Sequence, residues 1–518
     1  LRPGLPTVKV KASRLWSDTF WMSAAGLVTA GLSILRALLL PKIIDNPANY
    51  GLLLVINLII GYGAYAHLGV TLGIYRQIPY LRGAGTSEEE IADLRNSSLG
   101  FVLLMGLVAI IVAFLLGWTQ IQEGTLLGFV ILGAGAALVP LRNLTAVLTN
   151  YYQAEGRFRF LAILEFFYIL SSVGLTLLGA QLFGILGAAG ALVIVEAVFV
   201  VIYSRLTGYP HQFRLVPRLD WSKIGRLIRI GLPLTIVVFL RFGLESIDKL
   251  FIARFIGGVD RGFLNLAATV GMLVILVPGK LGVVLNPELA RSTGAGEIGE
   301  LRRRLVSYTE ATAYVSALLA GLAVIGARTV LAAWLPNYAP TLSLIDLYAP
   351  RMAFYAIITI AGNTLINLLI DRRRVGLWIG MQLGILLLAV AACTLALFRY
   401  GSSWSIVLAS TGVIIANALL VNYFAAKEVG MKLGERLGFL LRLLLPLGYV
   451  GALVEGLKYG LTYIEHWSAL LRLATGTGAF LVLALPLIVY GERRLGLLKM
   501  LRTRVRERLF QPRGELDD

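Results

Sequence analysis

Long apolar blocks separated by short polar and basic stretches run through the chain. Residues 191–203, 380–398 and 479–490 are nearly free of charge and show no alternation of apolar with polar positions. A hydrocarbon core offers backbone amides no partner, so whatever crosses it is a helix or a closed barrel. Barrel strands alternate outward apolar with inward polar residues, and these blocks do not. At about 20 residues per crossing, the pattern predicts fourteen spans. They cover residues 20–43, 50–73, 99–118, 126–151, 160–179, 186–203, 228–255, 262–286, 306–327, 342–370, 375–398, 403–424, 437–456 and 469–490. The expected class is an all-α polytopic membrane protein.

Composition agrees: of 518 residues 58% are hydrophobic and only 15% charged, and the mean hydropathy is +0.79, outside the range of soluble domains. The net charge of +18 would suit a nucleic-acid partner only on a soluble basic face. Here the cations sit between spans, where they set orientation. With the N-terminus inside, alternate loops hold Arg76, Arg82 and Arg95; Arg157 and Arg159; Arg302 to Arg304; Arg372 to Arg374; and Lys427, Lys432 and Arg436. The opposite loops keep only Lys42, Arg261, Arg328, Arg399 and Lys458. Both termini are therefore expected in the cytoplasm, with no nucleic-acid partner. Lys9, Lys11 and Arg14 precede a long first block without a small-residue cleavage site, which reads as a retained helix. The single cysteine, Cys393, lies inside an apolar block, so no intrachain disulfide or zinc site is expected.

A weak internal repeat divides the chain. Ala48-Asn-Tyr-Gly51 is followed by Gly83-Ala-Gly85 and Glu88 to Glu90; Val259-Asp-Arg-Gly262 is followed, at the same offset, by Gly294-Ala-Gly296, Glu297 and Glu300. The expected organisation is an N-terminal lobe (1–206), a linker (207–227), a C-terminal lobe (228–425), two further spans (426–492) and a basic tail (493–518). Parallel repeats of this kind hold substrate near their interface.

Several segments together resemble the polysaccharide and O-antigen flippases of the multidrug/oligosaccharidyl-lipid/polysaccharide exporter (MOP) superfamily. They are Leu35 to Gly51, ending in Tyr-Gly; Ile230-Gly-Leu-Pro-Leu234 through Ser246-Ile-Asp-Lys-Leu250 to Gly257; Ala333-Trp-Leu-Pro-Asn-Tyr338 through Asn367 to Asp371-Arg-Arg-Arg374; and Gln153-Ala-Glu-Gly-Arg-Phe158. The resemblance implies two lobes, alternating access, and an undecaprenyl-pyrophosphate-linked glycan as cargo at a bacterial inner membrane. Other glycan assembly proteins, such as a polymerase or a chain-length regulator, are the partners it suggests besides the bilayer.

A charge within a span costs about 2.5–3.5 kcal/mol on insertion scales, so it needs a partner or a wet cavity. Cations inside predicted spans are Arg36, Arg142, Arg241, Lys249, Lys280 and Arg351, the candidate substrate-binding residues. Guanidinium suits a pyrophosphate, offering a planar fork of donors that stays charged when buried. Arg36 and Arg142 have no acid one helical turn away, which leaves either an acid on another helix or an anionic ligand. Arg241, Glu245 and Asp248 share one stripe of the seventh span, either as a self-neutralising Arg241–Glu245 pair or as a polar cavity wall. The acids inside predicted spans are Glu165, Glu196, Glu245, Asp248 and Asp346, of which Glu245, Asp248 and Glu165 are candidate coupling acids; Arg254, Arg442 and Arg472, near helix ends, are expected to snorkel to the membrane surface. Asn57, Tyr62, Tyr65, Asn363 and Asn367 are candidate glycan contacts, or interhelical hydrogen bonds; His67 is expected to be a polar helix contact.

No Gly-x4-Gly-Lys-Ser/Thr loop occurs, so no ATP site and no cofactor are expected. Two other functions compete with flipping. A cation-coupled drug or small-molecule antiporter of the same superfamily would favour carboxylates in its cavity. A membrane-embedded glycan polymerase or ligase would need a large outer loop, and the predicted outer loops are short.

Overall fold

A computed structural model of the chain describes residues 28–29, 31–83, 85–121, 126–154, 157–207, 216–294, 296–371, 374–464 and 466–495. Among them every regular element is helical. In chain order these are α1 (31–44), α2 Pro47–Gly63, α3 Val70–Gly83, α4 Glu88–Ile121, α5 Leu126–Ala154, α6 Phe158–Thr207, α7 Trp221–Phe251, α8 Gly258–Gly294, α9 Ile298–Trp334, α10 Thr341–Asp371, α11 Val375–Tyr400, α12 Ser403–Glu428, α13 Leu433–Thr462 and α14 Ala469–Leu495. A single π turn, Ile252–Ile256, follows α7.

Eleven of these helices, α4 to α14, are long and apolar enough to cross a membrane. α6 holds two of the expected spans, because the chain leaves helical geometry at Phe183 and at Gly184 (φ 60°, ψ −141°). Only glycine adopts that second conformation without strain. Just beyond the turn the two arms touch: a Cβ on Gly179 or Gly187 would strike the other's backbone. α1 holds the described part of the first span, and α2 with α3 make the second. The protein is thus a multi-pass helical membrane protein, as the hydropathy pattern predicts.

One span departs from expectation. Residues 50–73 read as one continuous helix, yet residues 64–69 form turns, with Leu68 at φ 50° and Gly69 at φ 91°. A broken helix frees backbone groups that lipid cannot satisfy. Here α5 supplies partners: Asn143 Nδ2 donates to Gly63 O (2.9 Å) and Asn150 Nδ2 to Thr71 O (3.2 Å). His67 joins them, its Nδ1 accepting from Gly69 N at 3.0 Å, with Thr71 Oγ1 2.8 Å from Nε2. Its role as a polar contact inside the bundle is as the sequence suggests.

The helices form two compact units, one of residues up to Leu266 with Gln382–Val390, the other of Ala267–Met381 with residues from Ala391 onward. In the first, α5 packs against α2, α3, α4 and α6. Its best-buried side chains include Ile74, Ile91, Val147, Tyr151, Tyr152 and Tyr203. Two of these tyrosines donate to main-chain carbonyls, Tyr151 to Arg95 O (2.8 Å) and Tyr152 to Tyr203 O (3.0 Å). α7 lies along α2, α3 and α4. The approach is close enough that a Cβ on Gly231 would collide with the Gly69 carbonyl. Small residues allow such contact, which is how helices associate where no hydrophobic force acts between them. The landmark glycines of the repeat also meet, since a Cβ on Gly51 would lie 2.6 Å from Gly262 N.

In the second unit α10 packs between α9 and α12, and α9 carries both α13 and α14. Gly321 admits the Phe480 ring of α14 beside Val450 of α13. Two acids reinforce this, Glu310 buried and Asp346 half-buried. Glu310 on α9 takes Arg442 Nε of α13 and Arg494 Nε of α14, each at 3.0 Å. Asp346 on α10 takes Arg328 Nη2 of α9 and Lys458 Nζ of α13, each at 2.8 Å.

Candidate anion site

Three elements of the first unit bring together the charges that the sequence singles out in spans one, four and six. α5 presents Arg142 one residue before Asn143, whose amide caps the break between α2 and α3. The second arm of α6 presents Glu196, with only 1% of its surface exposed, and the first arm presents Tyr168. Arg142 Nε lies 2.9 Å from Glu196 Oε2. Both carboxylate oxygens also accept hydroxyl hydrogen bonds, Oε1 from Thr145 (2.7 Å) and Oε2 from Tyr168 (2.8 Å). The Tyr168 ring lies under the guanidinium, 5.7 Å from Cζ to centroid. A buried carboxylate demands such satisfaction, and the network fixes the orientation of Arg142 while leaving its side chain 40% exposed.

Arg36 of α1 stands within electrostatic reach of Arg142, Tyr168 and Tyr50. It is half-buried and makes no ion pair or hydrogen bond among the described residues. Glu196 thus holds Arg142, and Arg36 stands beside them without an ion pair among the described residues. Arg142 has the interhelical acid that the sequence reading allowed as one of two outcomes. Glu196 stands among the acids inside predicted spans, but no sequence spacing joins it to Arg142. Thr145, Tyr168 and Asn143 gave no signal beyond being polar residues inside apolar blocks.

The other candidates lie elsewhere. On α7, Asp248 is fully buried, and Glu245 sits 3.8 Å from Lys249 Nζ one turn on. Tyr62 and Tyr65 lie against this stripe. The Tyr62 hydroxyl is 2.8 Å from Ser246 Oγ, and its ring meets Phe242 edge-on at 5.1 Å. Tyr65 stacks edge-on with Phe239 at 5.4 Å and lies in the electrostatic neighbourhood of Glu245 and Arg241. Both tyrosines thus join α2 and the turn after it to α7, the interhelical alternative. Asn57 is exposed on α2. Glu165, half-buried on α6, is the exception: it borders the Arg142 cluster, since Tyr203 has Glu165, Tyr168 and Glu196 all within electrostatic reach.

In the second unit Arg351 is wholly enclosed: Nη1 donates to Ser410 Oγ of α12 (3.0 Å), and Cζ lies 4.8 Å from the Tyr348 ring centroid. It ties α10 to α12 and presents no surface to a ligand here. Asn363 and Asn367 are half-exposed, one turn apart on α10. The side chain of Lys280 lies outside the described residues, as do the basic N-terminal segment and most of the C-terminal tail. Glu310 is a buried charge that the sequence reading passed over. It falls within the predicted ninth span, where any acid warrants a search for its partner. Arg442, which the same reading sends to the membrane surface, is that partner.

Comparison with known proteins follows the same line. A family described as "Polysaccharide biosynthesis protein" matches residues 15–292. A probable multidrug resistance protein NorM of Xanthomonas axonopodis pv. citri is 27% identical over 293 residues, 51% of this chain and 62% of the relative, so the chain spans less than two thirds of that protein's length. The lipid II flippase MurJ in an inward closed conformation superposes with a TM-score of 0.60 at 11% identity, over 89% of this chain and 97% of that one. An inward-facing multidrug resistance MATE family transporter of the MOP superfamily gives 0.58 at 13% identity, over 79% and 98%. These two likenesses concern the fold. With the family match spanning more than half of the chain, the resemblance read from the sequence is borne out: the chain belongs to the polysaccharide biosynthesis protein family and has the fold of the MOP superfamily.

Proposed function

We propose that the protein is a flippase that carries an undecaprenyl-pyrophosphate-linked oligosaccharide from the inner to the outer leaflet of a bacterial cytoplasmic membrane. Both termini lie in the cytoplasm, following the asymmetry of basic loops. The observation that carries this reading is Arg36, a half-buried cation with no carboxylate partner among the described residues, beside an Arg142 already neutralised by Glu196. An uncompensated cation in a low-dielectric setting attracts an anion strongly, and guanidinium grips phosphate with two parallel hydrogen bonds. The pyrophosphate is the charged part of such a cargo, and its lipid tail stays in the bilayer while the glycan is carried across. Tyr168, already beneath Arg142, offers a ring to a sugar face. The lobes alternate access, and Asp248 and Glu245 couple the return to an ion gradient or to the membrane potential.

No catalytic step is required of the protein, and the short predicted outer loops suit a carrier better than a polymerase or ligase. Deletion separates these readings. Accumulation of undecaprenyl-linked repeat units on the inner leaflet supports flipping; repeat units that reach the outer leaflet and remain unpolymerised refute it.

A second reading, a cation-coupled drug antiporter, draws on the similarity to a probable multidrug resistance protein. It requires deletion to raise drug sensitivity while surface glycan stays normal. Arg36, which has no ion pair among the described residues, favours the anionic cargo.

A further inference from the structure

A second basic site lies far along the sequence from the Arg36 cluster. At the loop end of α9 and α13, a pocket of about 630 Å³ is lined by Arg302, Arg303, Arg442 and Glu435. Arg302 Nη2 holds Glu435 Oε1 at 2.7 Å, Arg303 and Arg304 share Glu300, and Arg442 and Arg494 share Glu310, so five guanidinium groups stand with three carboxylates. Arg302, Arg303 and Arg442 keep surface all the same, with side-chain exposures of 38%, 79% and 39%. Gly434 and Gly438, one turn apart on α13, complete the lining, and a Cβ added to either would meet nothing within 4 Å. The pocket is thus open because glycine stands where any side chain would fit.

What edges the pocket decides between a dissolved anion and a lipid. Leu433, Leu437 and Leu441 each lie one position before Gly434, Gly438 and Arg442, and they are 55%, 51% and 67% exposed. Adjacent helical positions are about 100° apart, so an apolar exposed stripe runs beside the basic pocket along the same helix. Exposed leucines at four-residue spacing in a membrane helix face acyl chains. A polar, cationic pocket opening beside such a stripe matches an amphiphile with an anionic head, and basic pockets between helix ends bind such heads. The flanking Arg302 to Arg304 and Lys427, Lys432 and Arg436 belong, by the charge rule, to the cytoplasmic side, where bacterial anionic lipids are available.

We propose that the α9–α13 pocket binds the phosphate headgroup of an anionic phospholipid of the cytoplasmic leaflet. Because α13 and α14 are held to α9 through Glu310, a lipid seated there adds a further tie between α9 and α13.

The test is lipid retention by the full chain, purified in mild detergent and analysed by native mass spectrometry after incubation with phosphatidylglycerol or phosphatidylethanolamine. Wild type should retain phosphatidylglycerol preferentially. Arg303→Gln should weaken retention about fivefold, the effect of one interfacial cation, and Gly438→Leu about tenfold by filling the pocket. Leucine at 438 meets no clash and raises helix propensity, so an unchanged melting temperature without lipid identifies a folded variant. Equal retention of both lipids overturns the proposal, as does wild-type retention in both variants. Displacement of phosphatidylglycerol by inorganic phosphate at equal concentration assigns the pocket to a soluble anion and overturns it too.

Discussion

Glu196 in the first unit and Glu310 in the second are both buried carboxylates on long helices, each paired with arginine from another helix. Around Glu310, both arginines touch the acid: Arg442 and Arg494 arrive from different helices and end at 3.0 Å. Around Glu196 only Arg142 does; the remaining acceptor capacity goes to Thr145 and Tyr168, and Arg36 stays beside the network without joining it. Asp346, with Arg328 and Lys458, repeats the Glu310 pattern. Clusters with the same kind of residues therefore do different things. At Glu310 and Asp346 the paired cations fasten helices to one another; at Glu196 neutral hydroxyls take the remaining acceptor sites, and Arg36 is left without an ion pair among the described residues.

The comparison can be broken at the acids first. Glu310→Gln should cost about 2–3 kcal/mol, below the range for a fully buried pair because both arginines are about a third exposed. The loss is read as a lowered melting temperature of the purified protein, with α13 and α14 the first segments to lose protection in hydrogen exchange. Glu196→Gln should cost less, about 1–2 kcal/mol, because the amide carbonyl still accepts one hydroxyl hydrogen bond. If Glu196→Gln proves the more damaging, the distinction between fastening and holding fails. Arg36→Ala should change stability by less than about 0.5 kcal/mol, as expected for a side chain outside any hydrogen-bonded network. A large drop in melting temperature would mean that Arg36 is structural.

The smallest effect lies outside the membrane. Asp220 caps α7, its Oδ1 accepting from Ser222 N and Lys223 N at 3.0 and 3.2 Å. The Lys223 N–H above all holds its carboxyl below the ordinary value of 3.8. A carboxyl depressed in the folded state stabilises above its unfolded value, and that contribution is lost as pH falls through the folded one. Asp220→Asn should keep the cap and flatten this part of the acid-unfolding profile. An unaltered profile would remove Asp220 from it.

Much of the architecture was readable in the chain because a bilayer penalises every unpaired amide and every buried charge. Fourteen spans follow from apolar runs and basic loops, and Arg36, Arg142, Glu196 and Asp346 were visible as charges where charge is costly. Pairing was not readable. Arg142 and Glu196 are 54 residues apart and meet only through the packing of α5 on α6. The break after Gly63 was hidden as well. It contains no proline, only a glycine, a histidine, a tyrosine and apolar residues, and the asparagines that make it tolerable sit on another helix. Short-range patterns report periodicity and local partners, whereas a satisfied break depends on long-range ones.

Translocation of undecaprenyl-pyrophosphate-linked oligosaccharide in proteoliposomes, compared for wild type, Arg36→Ala and Arg36→Lys at matched reconstitution, tests the central assignment most directly. With Arg36 as the cation that meets the pyrophosphate, Ala should lower transport by at least about tenfold, the worth of one charge-assisted contact. Lys, which keeps the charge but not the fork, should fall between, and melting temperatures should agree. Transport at the wild-type rate in a folded Arg36→Ala protein would contradict the account.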